Sequence, residues 1–305
     1  MIITKEQKAV LFMFTATLLF SIVALCAKLV SRLGAVEITF FRNAIGIVFL
    51  LMFFNYAKPK KFNGQKLRLL LFRGFIGTVA LIAFFYNVAN ATLSDALTFT
   101  KTEPLFSALL AFWLMSERLD RTKVAAIIIG FLGIAVIGIE RGIQMAYANG
   151  IGIFAGFCAA LAYTTIRRIR DDFDYKFVVL SFMLFGTVLP LILMAASGFL
   201  GEGEIIRGFV APTPNELWAL LAVGALSAVG QALMTKAYFF ARAGIVSTVS
   251  YFSILFGVIF GVAAGDPLPT AFVFAGMGLI VVSGILIARK RNYLMVSQIL
   301  SKAQD

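Results

Sequence analysis

The residues best suited to chemistry in this chain are charges embedded in apolar stretches. Lys101 and Glu103 sit two positions apart in a run spanning 93–115, and Pro104 follows at once. A charge at the centre of a bilayer costs roughly 2.5–3.5 kcal/mol on insertion scales, so it persists where it is paired, hydrated or used. With a helix starting near Leu93, Glu103 lies about 15 Å along the axis at 1.5 Å per residue. That is close to the midplane of a ~30 Å hydrocarbon core. Two helical positions differ by about 200° of rotation, so Lys101 and Glu103 are expected on opposite sides, each needing another partner or a wet cavity. Pro104 lacks the N–H that would bond the Thr100 carbonyl, which frees an acceptor beside the carboxylate. Such a group suits a polar ligand, a cation or a coupling proton. The bland alternative is a fixed pair of Glu103 with Arg42 or Lys101. Arg42, about two turns into the second run, is equally open to a static interhelical salt bridge or a contact with a substrate carboxylate.

Tyr86, Asn87, Asn90, Trp113, Tyr163, Gln231, Tyr238, Ser250, Tyr251 and Ser253 are candidate cavity residues. Aromatic faces hold cations or stack on planar rings, but Tyr and Trp also collect at headgroup level. Lys28, Glu37 and Asp95 fall near one end of their runs, Arg73 and Lys236 near the other. Snorkelling to headgroups is the expectation for the basic ones. Glu117 and Asp266 lie at corners and read as structural. There is no His, and the two cysteines, Cys26 and Cys158, lie in apolar runs. No zinc spacing is possible and no disulfide framework is implied, and no metal or cofactor is implied. A P-loop is absent, which argues against ATP hydrolysis within the chain. With no His and few intramembrane carboxylates, an embedded enzyme lacks its acid–base constellation.

These residues must be positioned by membrane-spanning helices. Of 305 residues, 61% are apolar and 14% charged, against roughly 25% charged in soluble domains. A span needs about 20 apolar residues, and ten runs qualify: 8–30, 36–56, 67–90, 93–115, 121–139, 150–169, 176–199, 216–240, 244–264 and 270–289. The first is too long for a signal-peptide core and is expected to remain as a helix. Segment 200–215, with its GEGE and two prolines, reads as a surface loop. With the N-terminus cytoplasmic, 19 Lys and Arg fall on the cytoplasmic side and 3 on the other, so both termini are expected inside. The net charge of +12 then anchors loops to anionic headgroups rather than binding nucleic acid.

The chain also repeats itself. Tyr86-Asn87-Val88-Ala89-Asn90-Ala91 leads into the fourth run, and Tyr238-Phe239-Phe240-Ala241-Arg242-Ala243 into the ninth. Each run ends at an acidic corner, Glu117-Arg118-Leu119 or Asp266-Pro267-Leu268. Each corner leads into a last run with glycines eight apart, Gly130 and Gly138 or Gly276 and Gly284. The halves are 1–143 and 144–305. Five spans per half is an odd number, so the second half enters the membrane from the opposite face, a known route to alternating access around a central cavity. Small-xxx-small patterns at Gly152/Gly156/Ala160 and Gly257/Gly261/Gly265 suit close helix seams.

With these features in order, the chain resembles the drug/metabolite transporter superfamily, in its EamA-type ten-helix branch. The resemblance rests on Phe40-Phe41-Arg42, on Tyr86 through Ala96, on Thr102-Glu103-Pro104-Leu105 and on Glu117-Arg118-Leu119. In the second half it rests on Gln231, Lys236-Ala237-Tyr238, Tyr251 and Gly265-Asp266-Pro267, where Asp266 replaces the usual Glu. It implies an all-α bundle of ten transmembrane helices, two inverted five-helix repeats about a central cavity, in a bacterial inner membrane. The expected activity is secondary transport of a small polar or amphipathic metabolite such as an amino acid, with export and proton coupling as further expectations. The alternatives are an organic-cation or drug carrier, and a carrier of S-adenosylmethionine, a vitamin or a nucleoside. A channel is the remaining competitor, distinguished by its failure to accumulate label in counterflow.

Overall fold

The computed structural model describes residues 5–53, 64–115, 121–169, 171–201, 203–241 and 243–302. Glu117, Arg118 and Arg242 lie outside the described residues. The described chain is helical throughout, joined by short turns. In order run α1 (Lys5–Leu29), α2 (Ala35–Phe53), α3 (Leu67–Asn90), α4 (Leu93–Thr100), α5 (Glu103–Met115), α6 (Arg121–Ile169), α7 (Tyr175–Ala195), α8 (Ser197–Leu200), α9 (Pro214–Phe240), α10 (Ala243–Ser250), α11 (Phe252–Ala263) and α12 (Ala271–Lys302). Among the described residues, seven helices are long and apolar enough to cross a membrane. Thr248–Ala263 and Ala271–Ile287 are shorter apolar helices. The chain is a polytopic α-helical membrane protein. Its apolar side chains cover the outside as well as the core: Phe14, Phe72, Phe75, Phe131 and Leu191 are all exposed, as lipid-facing helices require.

Local chemistry explains where several helices start. Thr92 caps α4 by accepting the Asp95 N–H, and Asp174 caps α7 from the Lys176 N–H. Thr213 and Glu216 form a reciprocal capping box on α9 with Pro214 just inside, a pattern that satisfies otherwise orphaned amides. The fourth run, expected as one helix, is two: α4 stops at Thr100, and α5 restarts at Glu103 with Pro104 in its first turn. Proline tolerates the first turn and breaks the interior, so a two-residue interruption replaces a kink. The ninth run is likewise divided, at Tyr251. The fifth and sixth runs follow one another within α6 as two helices, Arg121–Gly142 and Tyr147–Ile166, separated by a kink at Gly142, whose φ of 74° is not helical.

The packing pairs have a two-way symmetry. α1 lies against α9 as α3 lies against α6. α2 lies against α9 as α3 lies against α7. α2–α7, α4–α11 and α6–α12 pair directly. The C-caps of α3 and α9 match as well, with Ala91 at φ −128°, ψ 177° and Ala241 at φ −133°, ψ 168°.

The α6–α12 seam is closed by glycine. A Cβ at Gly133 would stand 2.7 Å from the Gly276 carbonyl oxygen, and one at Gly276 would stand 2.8 Å from that of Gly133. Backbone cannot yield as a side chain does. Gly133→Ala is therefore expected to destabilise by about 1–3 kcal/mol through overpacking. A melting midpoint unchanged from wild type in detergent would refute this close approach.

Residues 203–213 are tied to the bundle rather than forming a free surface loop. Ile205 and Val210 pack on the largest core cluster. The Val210 N–H donates to Glu37 Oε2 at 3.0 Å, and Tyr86 Oη donates to Glu204 Oε2 at 2.5 Å.

Candidate functional site

A cavity of about 180 Å³ lies at the centre of the bundle. It is lined from α1 by Met13, Thr17, Phe20 and Val23, from α2 by Arg42, and from α3 by Gly77 and its neighbours up to Phe85. The α4–α5 break contributes Thr100, Lys101 and Glu103, and the α10–α11 break contributes Ser250 and Ser253. α6 adds Tyr163, α7 adds Phe182, and α9 adds Gln231, Met234 and Tyr238.

The interruption at Lys101–Thr102 corrects the expected geometry of the charged pair. A continuous helix would send Lys101 and Glu103 to opposite sides, but with the helix broken between them both side chains line the same cavity. Nor is Glu103 held in a fixed ion pair. Its Oε1 accepts from Ser107 Oγ at 2.8 Å, and among the described residues no salt bridge joins it to Lys101 or Arg42. Arg42 Nη1 instead donates to Asn43 Oδ1 at 2.9 Å. Asn43 is anchored in turn to the Thr39 and Gly186 carbonyls.

Two buried polar groups on the cavity wall lack protein partners. Gln231 Nε2 and Ser253 Oγ are buried and make no hydrogen bond among the described residues. Each such group costs about 1–3 kcal/mol when left unmet, so the cavity favours a polar occupant. The rings of Tyr163 and Tyr238 meet at 5.8 Å between centroids, and Tyr163 Oη lies 3.7 Å from Met234 Sδ.

Of the residues singled out from sequence, Arg42, Lys101, Glu103, Tyr163, Gln231, Tyr238, Ser250 and Ser253 line this cavity. Tyr86, Asn87, Asn90 and Tyr251 do not. Tyr86 is engaged by Glu204, as above. Asn87 donates to the Ala148 carbonyl at 2.7 Å and holds α3 against the Gly152 seam of α6. Asn90 is exposed and donates to the Tyr86 carbonyl. Tyr251 is buried against Gly284 of α12. Trp113 is 79% exposed and faces outward, away from the cavity.

Charges near the span ends have protein partners. Lys28 Nζ reaches Asp266 Oδ1 at 2.6 Å and the Ala91 carbonyl at 2.9 Å, while the Leu93 N–H donates to Asp266 Oδ2 at 2.7 Å. Asp95 is fully buried against Arg141, with Nε 2.7 Å from Oδ2. Lys236 Nζ sits 5.7 Å from the Tyr175 ring centroid. Arg73 is 2% exposed, with its guanidinium carbon 4.4 Å from the Phe182 ring centroid. Sequence reasoning missed both Arg73 and Phe182 as neighbours of the cavity. The signal that was available is the glycine pair after the arginine. A Cβ at Gly77 would lie 3.0 Å from Arg73 Nη1 and 3.1 Å from Phe182 Cδ2, and one at Gly74 would lie 2.5 Å from Phe185 Cδ2.

Comparison with known proteins agrees with this architecture. The model of the EamA-like transporter family matches residues 7–139. An uncharacterized transporter of Helicobacter pylori (strain J99) is 30% identical over 278 residues, 90% of this chain and 92% of that protein. The pseudopaline exporter CntI of Pseudomonas aeruginosa is 28% identical over 96% of this chain and 100% of its own length. A solved crystal structure shares the fold at a TM-score of 0.58 and 23% identity, covering 92% of this chain and 96% of that one. With full-length similarity on both sides and a polar cavity at the bundle centre, the chain belongs to the EamA-like transporter family and is a transporter rather than an enzyme.

Proposed function

We propose that this protein is a secondary transporter of small metabolites carrying both an amine and a carboxylate. It exports them across a bacterial inner membrane, with both termini cytoplasmic. The observation that carries this reading is the central cavity where Lys101 and Glu103 meet without pairing. Lys101 would meet a substrate carboxylate, and Glu103 an amine or a coupling proton. Ten crossing segments in two inverted halves, 1–143 and 144–305, would alternate the cavity between the two faces. The symmetric packing pairs and the paired breaks at Lys101–Thr102 and Tyr251 support that arrangement. Similarity to a pseudopaline exporter favours the outward direction. Arg42 and Lys101 on the cavity wall weigh against an organic cation, because like charges repel more strongly where water is scarce.

Counterflow in proteoliposomes tests this directly. Vesicles loaded with pooled amino acids, nucleosides, riboflavin, S-adenosylmethionine and quaternary amines are expected to exchange an amino-acid-like solute saturably against external label. Exchange of quaternary amines alone would replace this reading with the organic-cation alternative. Flux without transient accumulation would replace it with a channel.

A further inference from the structure

We infer that Arg42 and Arg73, set about the ring of Phe182, form an anion subsite that binds an additional carboxylate of the cargo, so that the transported compound carries net negative charge. The inference rests on the carrier reading above and narrows its substrate class. The guanidinium carbons of Arg42 and Arg73 lie 5.5 Å and 4.4 Å from the Phe182 ring centroid. Arg42 and Phe182 both line the cavity. Arg73 borders it at Gly77, which has no side chain to come between them. Arg73 is almost fully buried, yet among the described residues its Nε and Nη1 donate to nothing. Among the described residues no carboxylate pairs with either arginine.

Buried charges are ordinarily paired, and two like charges on one ring aggravate the imbalance. Counting Lys101, the cavity region holds three cations against the one carboxylate of Glu103. The Phe182 face offsets part of the cost by a cation–π contact, but it supplies no hydrogen-bond acceptor. What the arrangement lacks is an oxyanion that can accept from a guanidinium fork, the geometry for which Arg is suited. A compound with two or more carboxylates and an amine would satisfy Arg42 and Arg73 at one end and the Lys101–Glu103 break at the other.

The test uses the purified full chain with potassium succinate, potassium acetate, inorganic phosphate and choline as probes, read by thermal denaturation. Succinate is expected to raise the melting temperature saturably, acetate more weakly and choline not at all. In Arg73→Gln the half-saturating succinate concentration is expected to rise at least tenfold, with Arg73→Lys intermediate. Ligand-free Arg73→Gln should melt no lower than wild type, because the substitution removes an unmet buried charge. A purely structural arginine would give the reverse, so a lowered ligand-free midpoint, or failure to fold, overturns the subsite. Phe182→Leu keeps both charges and is expected to weaken succinate severalfold; an unchanged response there overturns the role of the ring. Stabilisation by phosphate alone assigns the site to a phosphoryl group and overturns the carboxylate. An equal succinate response in wild type and Arg73→Gln overturns the site itself. Counterflow separates this inference from the carrier reading. Exchange confined to neutral zwitterions sinks the subsite and leaves the carrier, whereas Arg73-dependent succinate binding with no solute exchanged sinks the carrier and leaves the subsite.

Discussion

In proteoliposomes, Glu103→Gln is expected to lose all response to an imposed pH gradient while one-for-one exchange of substrate continues. Glu103 lines the central cavity, is held in place by Ser107, and among the described residues forms no salt bridge. In the proposed mechanism it is the carboxylate placed to meet a substrate amine or a coupling proton. Glutamine keeps the shape and the contact to Ser107 but cannot take up and release the proton. Lys101→Gln is the complementary variant. Removing one partner of a desolvated charge pair costs about 2–5 kcal/mol, and 1.4 kcal/mol is a tenfold change in Kd. Substrate affinity should then fall on the order of a hundredfold, with gradient dependence retained. If Glu103→Gln still accumulates substrate along a pH gradient, the coupling role belongs to another group.

Asp266→Ala should loosen the end of the bundle where α1, α4 and the turn before α12 converge. One carboxylate there accepts from Lys28 Nζ and from the Leu93 N–H, and Lys28 also donates to the Ala91 carbonyl. Losing one partner of a buried pair costs about 3–5 kcal/mol. Here the side chains are 20% and 13% exposed, which argues for a smaller loss of about 2 kcal/mol after screening. Adding Lys28→Met should recover most of it, since the second change removes the stranded ammonium. In the proposed topology this node closes the outer face above Val23, the last α1 residue along the cavity. Cys26, half-buried on α1 just below the node, is a built-in reporter. With Cys158 replaced by Ala, a membrane-impermeant maleimide added outside is expected to label Cys26 faster in Asp266→Ala. Equal labelling rates with a lowered melting temperature would make the node a structural staple and not a gate.

Much of this molecule was legible in its residues. Apolar run lengths located the helices, because bilayer thickness fixes how many residues a span needs. Pro104 marked a local disturbance of the fourth run, because its missing N–H acts locally, but the full break into two helices was not foretold. Lys101 and Glu103 stood out because intramembrane charge is costly wherever the helix faces. The corner role of Asp266 was readable too, although its partners Lys28 and Leu93 were not. No comparable mark foretold the break at Tyr251.

What could not be read was the facing of side chains. Helical periodicity set Lys101 opposite Glu103, and a two-residue interruption reversed that. Position along the run sent Arg73 toward the headgroups, yet Gly74 and Gly77 let α7 close over it and leave it buried beside Phe182. Tyr86 and Tyr238 occupy matching places in the two halves, but of the two only Tyr238 reaches the cavity; Tyr86 is engaged by Glu204. The amino-acid order alone therefore dictated the class of protein, the helical segments and the presence of costly buried charge, all of which follow from local composition and periodicity. Which charges face one another, and which stand unpaired around a common space, was decided by how the helices pack, because rotation about each axis is set by contacts between segments far apart in the chain.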